Sequence, residues 1–223
     1  MATIAENLQA VKARIGAARG VTLLAVSKGQ GIERIKEAIA AGQRAFGENY
    51  VQEALEKMNA LPGLEWHLIG PLQSNKTRLA AERFAWVQSV DRVKIAQRLS
   101  DQRPAELPPL NLLIQVNAAK EASKSGVALE RVEALAAAVA ALPRLRLRGL
   151  MAIPEPGAPR ERYREVKSLF DSLRQKFALD TLSMGMSDDM DLAIAEGATM
   201  VRVGTAIFGE RSVGSRGREK SAA

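Results

Sequence analysis

The sequence predicts an α/β protein, a single (β/α)₈ barrel with one extra helix before its first strand. Eight short apolar runs alternate with helical patterns along the chain, an order typical of a sheet of parallel strands. The chain has 223 residues, slightly fewer than the ~250 usual for such a barrel. No glycine pattern of the dinucleotide-binding type follows any strand, which disfavours the alternative, an open doubly wound sheet.

Each strand is predicted from a short apolar run, and each helix from apolar residues at helical spacing. The predicted strands are residues 21–28, 44–48, 65–69, 86–90, 110–116, 145–153, 181–184 and 200–205. The predicted helices are residues 1–16, 32–41, 50–58, 74–84, 92–99, 129–142, 163–177 and 188–196. The proline-rich stretches 104–109 and 154–159 fit loops better than domain linkers. We therefore expect one domain over residues 1–210.

Composition excludes several classes of protein. The chain has no cysteine and a single histidine, which excludes disulfides, thiolate metal sites and a histidine-based metal cluster. No apolar run approaches the ~20 residues that span a membrane, and the N-terminus lacks a signal-peptide pattern. These features predict a soluble, cytoplasmic protein.

The net charge of +7 raises the question of a nucleic-acid partner. Much of this charge lies in residues 211–223, a polar tail that we expect to be disordered. The remainder is mixed with acidic residues, and no nucleic-acid-binding motif is present. The charge pattern therefore favours a solvated surface over a nucleic-acid interface.

The ends of the strands provide the candidate site, because barrels of this type bind ligands there. Lys28 is the only lysine at a predicted strand end, and alternation places it on the same face as Leu24 and Val26. Shielding from water disfavours the charged ammonium form, and a neutral amine can form a Schiff base with an aldehyde. The alternative is a lysine that extends from the barrel rim into solvent. The strand by itself leaves both interpretations open.

The end of strand 8 suggests an anion site. Arg202 lies within an apolar strand, and a buried arginine requires an anionic or hydrogen-bonding partner. Gly204 and Thr205 follow it, and Ser183 ends strand 7, so N–H groups and hydroxyls are available for a phosphate. Together with a Schiff-base lysine, these residues fit pyridoxal 5′-phosphate (PLP), with Arg202 directed at the pyridine nitrogen or the phosphate. The alternative for Arg202 is an ion pair with an acid of a neighbouring strand, such as Glu48.

Longer motifs carry a resemblance to a known family. The segments are AVSK (25–28), FGENYVQEALEK (46–57), EWHLIGPLQSNK (65–76), SVD (89–91), SKSGV (123–127), GLMAI (149–153), LSMGMSDDMDLAI (182–194) and VRVGTAIFG (201–209). In this unbroken order the chain resembles the pyridoxal phosphate homeostasis protein family. The resemblance implies a single-domain relative of the alanine racemase barrel (fold type III), with the cofactor on the strand 1 lysine. It also implies a carrier or regulator of intracellular PLP, without established catalytic activity.

The resemblance also assigns residues. It implies that Lys28 forms the Schiff base and that Asn49, in the GEN motif, lies close to the cofactor ring. It further implies that Ser183, Arg202, Gly204 and Thr205 line the phosphate and ring. One departure is the turn after Lys28, which reads Gly-Gln-Gly here where the family usually has a Thr-x-Pro-like sequence. This turn is predicted to be more flexible.

Two enzyme classes are weighed against this binding function. An amino acid racemase needs an acid/base group on each face of the substrate, and related racemases supply a tyrosine from a second domain across a dimer interface. Tyr50 and Tyr163 are the only tyrosines here, and no such second domain is expected. We therefore expect a monomer that binds PLP and hands it to apoenzymes. A phosphosugar enzyme with a Schiff-base lysine would place that lysine on a later strand.

Other residues are expected to have structural roles. His67 is predicted to be a core or rim histidine rather than a catalytic one, since no partner motif accompanies it. Tyr50 is predicted to pack or cap at the start of a helix. Met184, Met186 and Met190 are expected to fill the core.

Overall fold

The computed structural model describes residues 2–16, 18, 20–119 and 125–210. Its eight strands are all parallel; each bonds to the next in chain order, and β8 bonds to β1. They are β1 (Thr22–Val26), β2 (Ala45–Glu48), β3 (Glu65–Leu68), β4 (Trp86–Val90), β5 (Leu110–Val116), β6 (Leu145–Ala152), β7 (Thr181–Ser183) and β8 (Met200–Val203). The predicted closed barrel is confirmed. The tail, residues 211–223, lies outside the described residues, so its disorder remains a prediction.

Helices follow the strands and surround the barrel. In the described part of the chain they are α1 (Ile4–Ile15), α2 (Ile32–Ala40), α3 (Val51–Ala60), α4 (Thr77–Arg83), α5 (Val93–Gln102), α6 (Val132–Ala140), α7 (Arg160–Arg174), α8 (Met190–Ala195) and α9 (Thr205–Phe208). Single 3₁₀ turns, Ser74–Lys76 and Leu129–Arg131, precede α4 and α6. None of the helices in these ranges is long and apolar enough to cross a membrane.

The end of β8 differs from the prediction. The strand stops at Val203, and the residues that were expected to continue it form the short helix α9. A short apolar run has too few residues to show whether its period is that of a strand or a helix. Thr205 therefore begins a helix directly after the last strand.

The extra helix α1 is fixed at both its start and its buried face. Thr3 and Glu6 form a capping box, in which each side chain bonds the other residue's backbone N–H. Its buried residues are Ile4, Leu8, Val11 and Ile15, and it packs against α2, α8 and α9. Asn7 Nδ2 donates a hydrogen bond to the carbonyl of Ile207 at 3.0 Å. Helix α1 therefore holds the segment after β8 in place.

The strands have two buried faces. One packs beneath the helices and carries most of the apolar core. The other points into the barrel lumen, because Gln88 on β4 accepts a hydrogen bond from Ser183 on β7 and donates one to Met200 on β8, and neither strand is a neighbour of β4. Leu24 is the register partner of Arg202, so β1 directs Leu24 and Val26 to the lumen. The predicted inward face of strand 1 is confirmed.

Candidate functional site

Arg202 is the buried cation of the lumen. Its side chain is 3% exposed, and Nη1 donates to Ser183 Oγ at 2.8 Å while Nη2 donates to the carbonyl of Ala152 at 2.9 Å. The alternative ion pair with Glu48 is wrong, because Glu48 bonds Lys57 instead. Both oxygens that Arg202 bonds are neutral. No carboxylate in the described ranges forms an ion pair with it.

The protonation of Arg202 follows from this environment. Burial lowers the pKa of Arg202 to about 10, against a smaller opposite effect from the charge of Asp189. The guanidinium therefore remains charged near neutral pH. The lumen thus holds a positive charge that a ligand can meet.

A continuous chain of hydrogen bonds runs from Arg202 to the opposite end of the barrel. We call it the lumen network, and it consists of Arg202, Ser183, Gln88, His67 and Glu65. Ser183 Oγ donates to Gln88 Oε1 at 2.8 Å, Gln88 Nε2 donates to His67 Nδ1 at 2.8 Å, and His67 Nε2 donates to Glu65 Oε1 at 2.8 Å. This direction assigns the neutral His67 tautomer with its proton on Nε2. Ser183, Gln88 and His67 thus each donate a hydrogen bond to the next side chain of the network.

His67 is a core histidine, as predicted. It is fully buried, and its ring stacks on Trp86 with centroids 5.0 Å apart and planes 7° apart. Burial lowers the pKa of His67, although the bond to Glu65 acts in the opposite direction. The neutral ring is therefore the form that the network requires.

The carboxyl ends of β7 and β8 lie close together, and we call Ser187, Gly204 and Thr205 at these ends the cradle. The backbone N–H of Arg202 donates to the carbonyl of Gly185 at 2.9 Å, which holds the β7–α8 loop against β8. In that loop, Ser187 Oγ accepts from the N–H of Ala206, in α9, at 3.2 Å. A Cβ on Gly204 would lie 3.2 Å from the carbonyl oxygen of Val26, so a side chain there would crowd β1. The cradle joins β7, β8 and β1.

The structure brings Ser187, which the sequence did not single out, to this end of the barrel. The predicted residue Ser183 ends β7 and is fully buried, with its hydroxyl bonded to both Arg202 and Gln88. Ser187 is half-buried and adjoins α9. Its position in the sequence could have made Ser187 a candidate, because it lies in the loop after strand 7, where barrels of this type often bind phosphate.

Lys28 and Asn49 follow neighbouring strands at this same end. Lys28 comes two residues after β1 and is half-buried, and the N–H of Ser27 bonds the carbonyl of Gly47 on β2 at 3.0 Å. Asn49 directly follows β2 and is also half-buried. The backbone of Asn49 packs closely on Gly70, because a Cβ added to Gly70 would lie 2.2 Å from the backbone oxygen of Asn49. All six predicted site residues therefore lie at the carboxyl end of the barrel.

Exposed apolar side chains surround this end. Among the described residues, the large exposed apolar side chains are Tyr50, Val93, Ile153 and Met186, and they follow β2, β4, β6 and β7. The predicted packing or capping role of Tyr50 is wrong, because its side chain is 67% exposed and makes no capping bond. Met184 and Met190 fill the core as predicted, whereas Met186 lies in the exposed part of a loop.

Comparisons with known proteins agree with this architecture. Residues 1–212 match the family described as alanine racemase, N-terminal domain. The chain is 56% identical over 229 residues to a pyridoxal phosphate homeostasis protein of Escherichia coli (strain K12), covering 95% of this chain and 98% of the relative. It is 58% identical over 230 residues to the protein of the same name from Pseudomonas aeruginosa, covering 96% and 99%.

Solved structures give the same result. PipY of Synechococcus elongatus PCC7942, in a structure with PLP bound, superposes with a TM-score of 0.84 at 39% identity, covering 93% of this chain and 100% of that chain. Alanine racemase from Corynebacterium glutamicum superposes with a TM-score of 0.76 at 19% identity, covering 97% and 63%. The second likeness concerns the fold alone.

Proposed function

Because this chain belongs to the pyridoxal phosphate homeostasis protein family, we propose that it binds PLP and serves its intracellular homeostasis without catalytic turnover. The observation that carries the proposal is the buried guanidinium of Arg202, which bonds only neutral oxygens within the described residues. A buried cation that bonds only neutral oxygens is stabilised by a ligand that offers a negative charge or a lone pair. Lys28, which follows β1 at the same end of the barrel, is proposed as the covalent anchor.

Lys28 is the proposed point of attachment. Its amine would hold PLP by condensing with the aldehyde, so that a C=N bond replaces the C=O bond and one water is released. Lys28 is half-buried and lies two residues after β1. Bound PLP supplies a conjugated ring that can withdraw electrons from an attached amine.

The cradle residues are proposed to hold the phosphate. Gly204 would offer a backbone N–H, and Thr205 and Ser187 would offer hydroxyls. Ser183 is proposed to contribute indirectly, because its hydroxyl fixes Nη1 of Arg202. The phosphate would thus bind where β7, β8 and β1 meet.

Arg202 and Asn49 are proposed to face the ring. Arg202 precedes Gly204 by two residues on the same strand face, so it lies deeper in the lumen than the cradle. A guanidinium that donates to the pyridine nitrogen keeps that nitrogen unprotonated, which weakens electron withdrawal by the ring. Such a contact suits the storage of PLP better than its catalytic use.

A racemase is the alternative, and the tyrosines disfavour it. The hydroxyl of Tyr163 is 2.5 Å from Asp189 Oδ2, and its side chain is buried; burial, followed by the bond to Asp189, raises the pKa of Tyr163. Tyr50 lies exposed at the rim. Neither tyrosine is in position to act as a second base inside the lumen.

Attachment at Lys28 can be tested directly. The purified protein mixed with PLP should develop the visible absorption of a Schiff base, and borohydride should fix the cofactor on Lys28, as located by peptide mass spectrometry. Lys28→Ala should lose the absorption, whereas Lys36→Ala, at an exposed lysine paired with Glu33, should retain it. Absence of the absorption in the parent protein would contradict the proposal.

A second assay separates a binding protein from an enzyme. The PLP-loaded protein is incubated with single L-amino acids, and D-isomers and other products are measured over time. We expect no turnover beyond that of free PLP. Turnover that Lys28→Ala abolishes would establish an enzyme and overturn this part of the proposal.

The proposed hand-over of PLP concerns cytoplasmic apoenzymes, with this protein acting as a monomer. Light scattering of the loaded protein should give the mass of one chain, 24.1 kDa. Mixing it with a PLP-dependent apoenzyme should restore that enzyme's activity faster than the spontaneous release of PLP from this protein allows. A rate equal to spontaneous release would contradict direct hand-over.

A further inference from the structure

The turn that carries Lys28 is fixed by side chains that the proposed function does not use. We call them the β1 latch, and they are Ser27, Glu48, Glu53 and Lys57. Glu48 shares its strand face with Phe46, which packs in the core beneath the helices. The β1 latch therefore lies on the outer side of the sheet, behind the lumen.

Lys57 is the centre of the β1 latch. It is 5% exposed, and its ammonium donates to the carbonyl of Ser27 at 2.7 Å, to Glu48 Oε1 at 2.7 Å and to Glu53 Oε1 at 2.8 Å. An ammonium has three donors, and all three are used. Ser27 Oγ also donates to Glu48 Oε1, at 2.5 Å. The residue before Lys28 is thus held through both its carbonyl and its hydroxyl.

The residue after Lys28 is held by the same group of side chains. The N–H of Gly29 donates to Glu53 Oε1 at 2.5 Å. The carbonyl of Ser27 also accepts from the N–H of Gln30 at 3.0 Å, closing a four-residue turn with Lys28 second and Gly29 third. Gly29 has φ +71°, which a type II turn requires at its third position. Peptide groups on both sides of Lys28 therefore have fixed partners.

The latch matters because the turn itself is rich in glycine. Gly29 and Gly31 leave the free turn more backbone entropy than the Thr-x-Pro-like sequence that the resemblance implies for the family. Hydrogen bonds to Glu53 and Lys57 remove part of that freedom. Side chains of α3 thus restrain the backbone on either side of Lys28.

We propose that the β1 latch positions the amine of Lys28 for PLP, with Glu53 and Lys57 as positioning residues. This inference rests on the proposed function, since it assumes that Lys28 holds the cofactor. The restraint on the turn, however, belongs to the chain without PLP and can be measured there.

Glu53 gives the cleanest test. Its side chain is 23% exposed, so Glu53→Ala removes both of its hydrogen bonds with little change to the core. Glu53→Gln keeps an oxygen that accepts from Gly29. Glu56→Ala, at an exposed position of the same helix, is the matched control. The measurements are amide hydrogen exchange at Gly29 in the PLP-free protein and PLP affinity from visible absorption.

Glu53→Ala should speed exchange at Gly29 and weaken PLP binding, each about tenfold, as expected for the loss of a hydrogen bond to a charged group. Glu53→Gln should restore most of both values, and Glu56→Ala should leave both unchanged. Unchanged exchange or unchanged affinity in Glu53→Ala would overturn the inference, as would equal losses in the Ala and Gln variants. Failure of the parent protein to bind PLP would overturn the proposed function instead, independently of the exchange result.

Discussion

The barrel contains two buried polar networks on opposite sides of the same sheet, and they differ in how their charges are arranged. In the β1 latch, one ammonium lies within 2.8 Å of two carboxylates. In the lumen network, the guanidinium bonds neutral oxygens, and the carboxylate of Glu65 lies at the far end of the chain. In the latch the ammonium directly faces carboxylates, whereas no carboxylate among the described residues forms an ion pair with Arg202.

This difference indicates what each network contributes. A buried ion pair whose partners face each other is sensitive to the loss of either one. A buried cation that bonds hydroxyl and carbonyl oxygens keeps its charge available without an ion pair. We therefore expect changes in the latch to act mainly on stability and on the Lys28 turn, and changes in the lumen to act mainly on the cofactor.

The largest effect is expected from Lys57→Met. Glu48 is fully buried, and without Lys57 its carboxylate retains only the Ser27 hydroxyl among its present partners. Loss of one partner from a buried pair lowers the free energy of unfolding by about 3–5 kcal/mol. Chemical denaturation at pH 7 measures this. Lys36→Met, in an exposed pair, should change it by less than about 1 kcal/mol.

The pH dependence of this variant identifies the cause. Burial raises the pKa of Glu48 even beside Lys57, so the protonated form is favoured in the fold once Lys57 is gone. The loss in Lys57→Met should therefore shrink as the pH falls, and Glu48→Gln in the same chain should recover part of it. An equal loss at all pH values would indicate lost packing rather than an unpaired carboxylate.

A smaller effect on stability is expected from Arg202→Met. Ser183 Oγ and the Ala152 carbonyl would each lose a donor, which costs about 1–3 kcal/mol for a buried acceptor. PLP affinity should fall about tenfold or more, because the ring or phosphate loses a charge-assisted hydrogen bond. Absorption titrations of Arg202→Met and Arg202→Lys measure this. If both variants bind PLP as the parent does, the contrast between the networks is wrong.

The sequence was sufficient for the parts of the molecule that depend on local patterns. The barrel follows from alternating strand and helix periods, and Arg202 was recognised as a buried cation because it interrupts an apolar strand. The same reasoning placed His67 in the core. In each case the informative residues lie within a few positions of one another.

The remaining parts depend on contacts that local patterns do not encode. Ser183 and Gln88 are 95 residues apart in the chain, and they meet because closure of the barrel sets the register across the lumen. Lys57 is nine residues from Glu48, and only the rotation of α3 on the sheet directs its ammonium to that carboxylate. The position of Ser187 was not predicted for the same reason, since the loop geometry brings its hydroxyl to α9.

The smallest expected effect is a pH dependence of stability that belongs to the lumen network. Burial lowers the pKa of His67 from its ordinary value of 6.5, so the unfolded chain binds the proton at a higher pH than the folded chain. Stability is therefore fully present above about pH 6.5 and is lost as the pH falls from there towards the folded pKa, by at most ~1.4 kcal/mol per pH unit for one proton.

Because the chain has a single histidine, His67→Gln should flatten the profile between pH 5 and 7, measured by denaturation at each pH. Protonation would also give Nδ1 a proton where it now accepts from Gln88, so the same acidification should weaken PLP binding more in the parent than in His67→Gln. If the profile stays steep in His67→Gln, neither His67 nor the lumen network is the source of the pH dependence of stability.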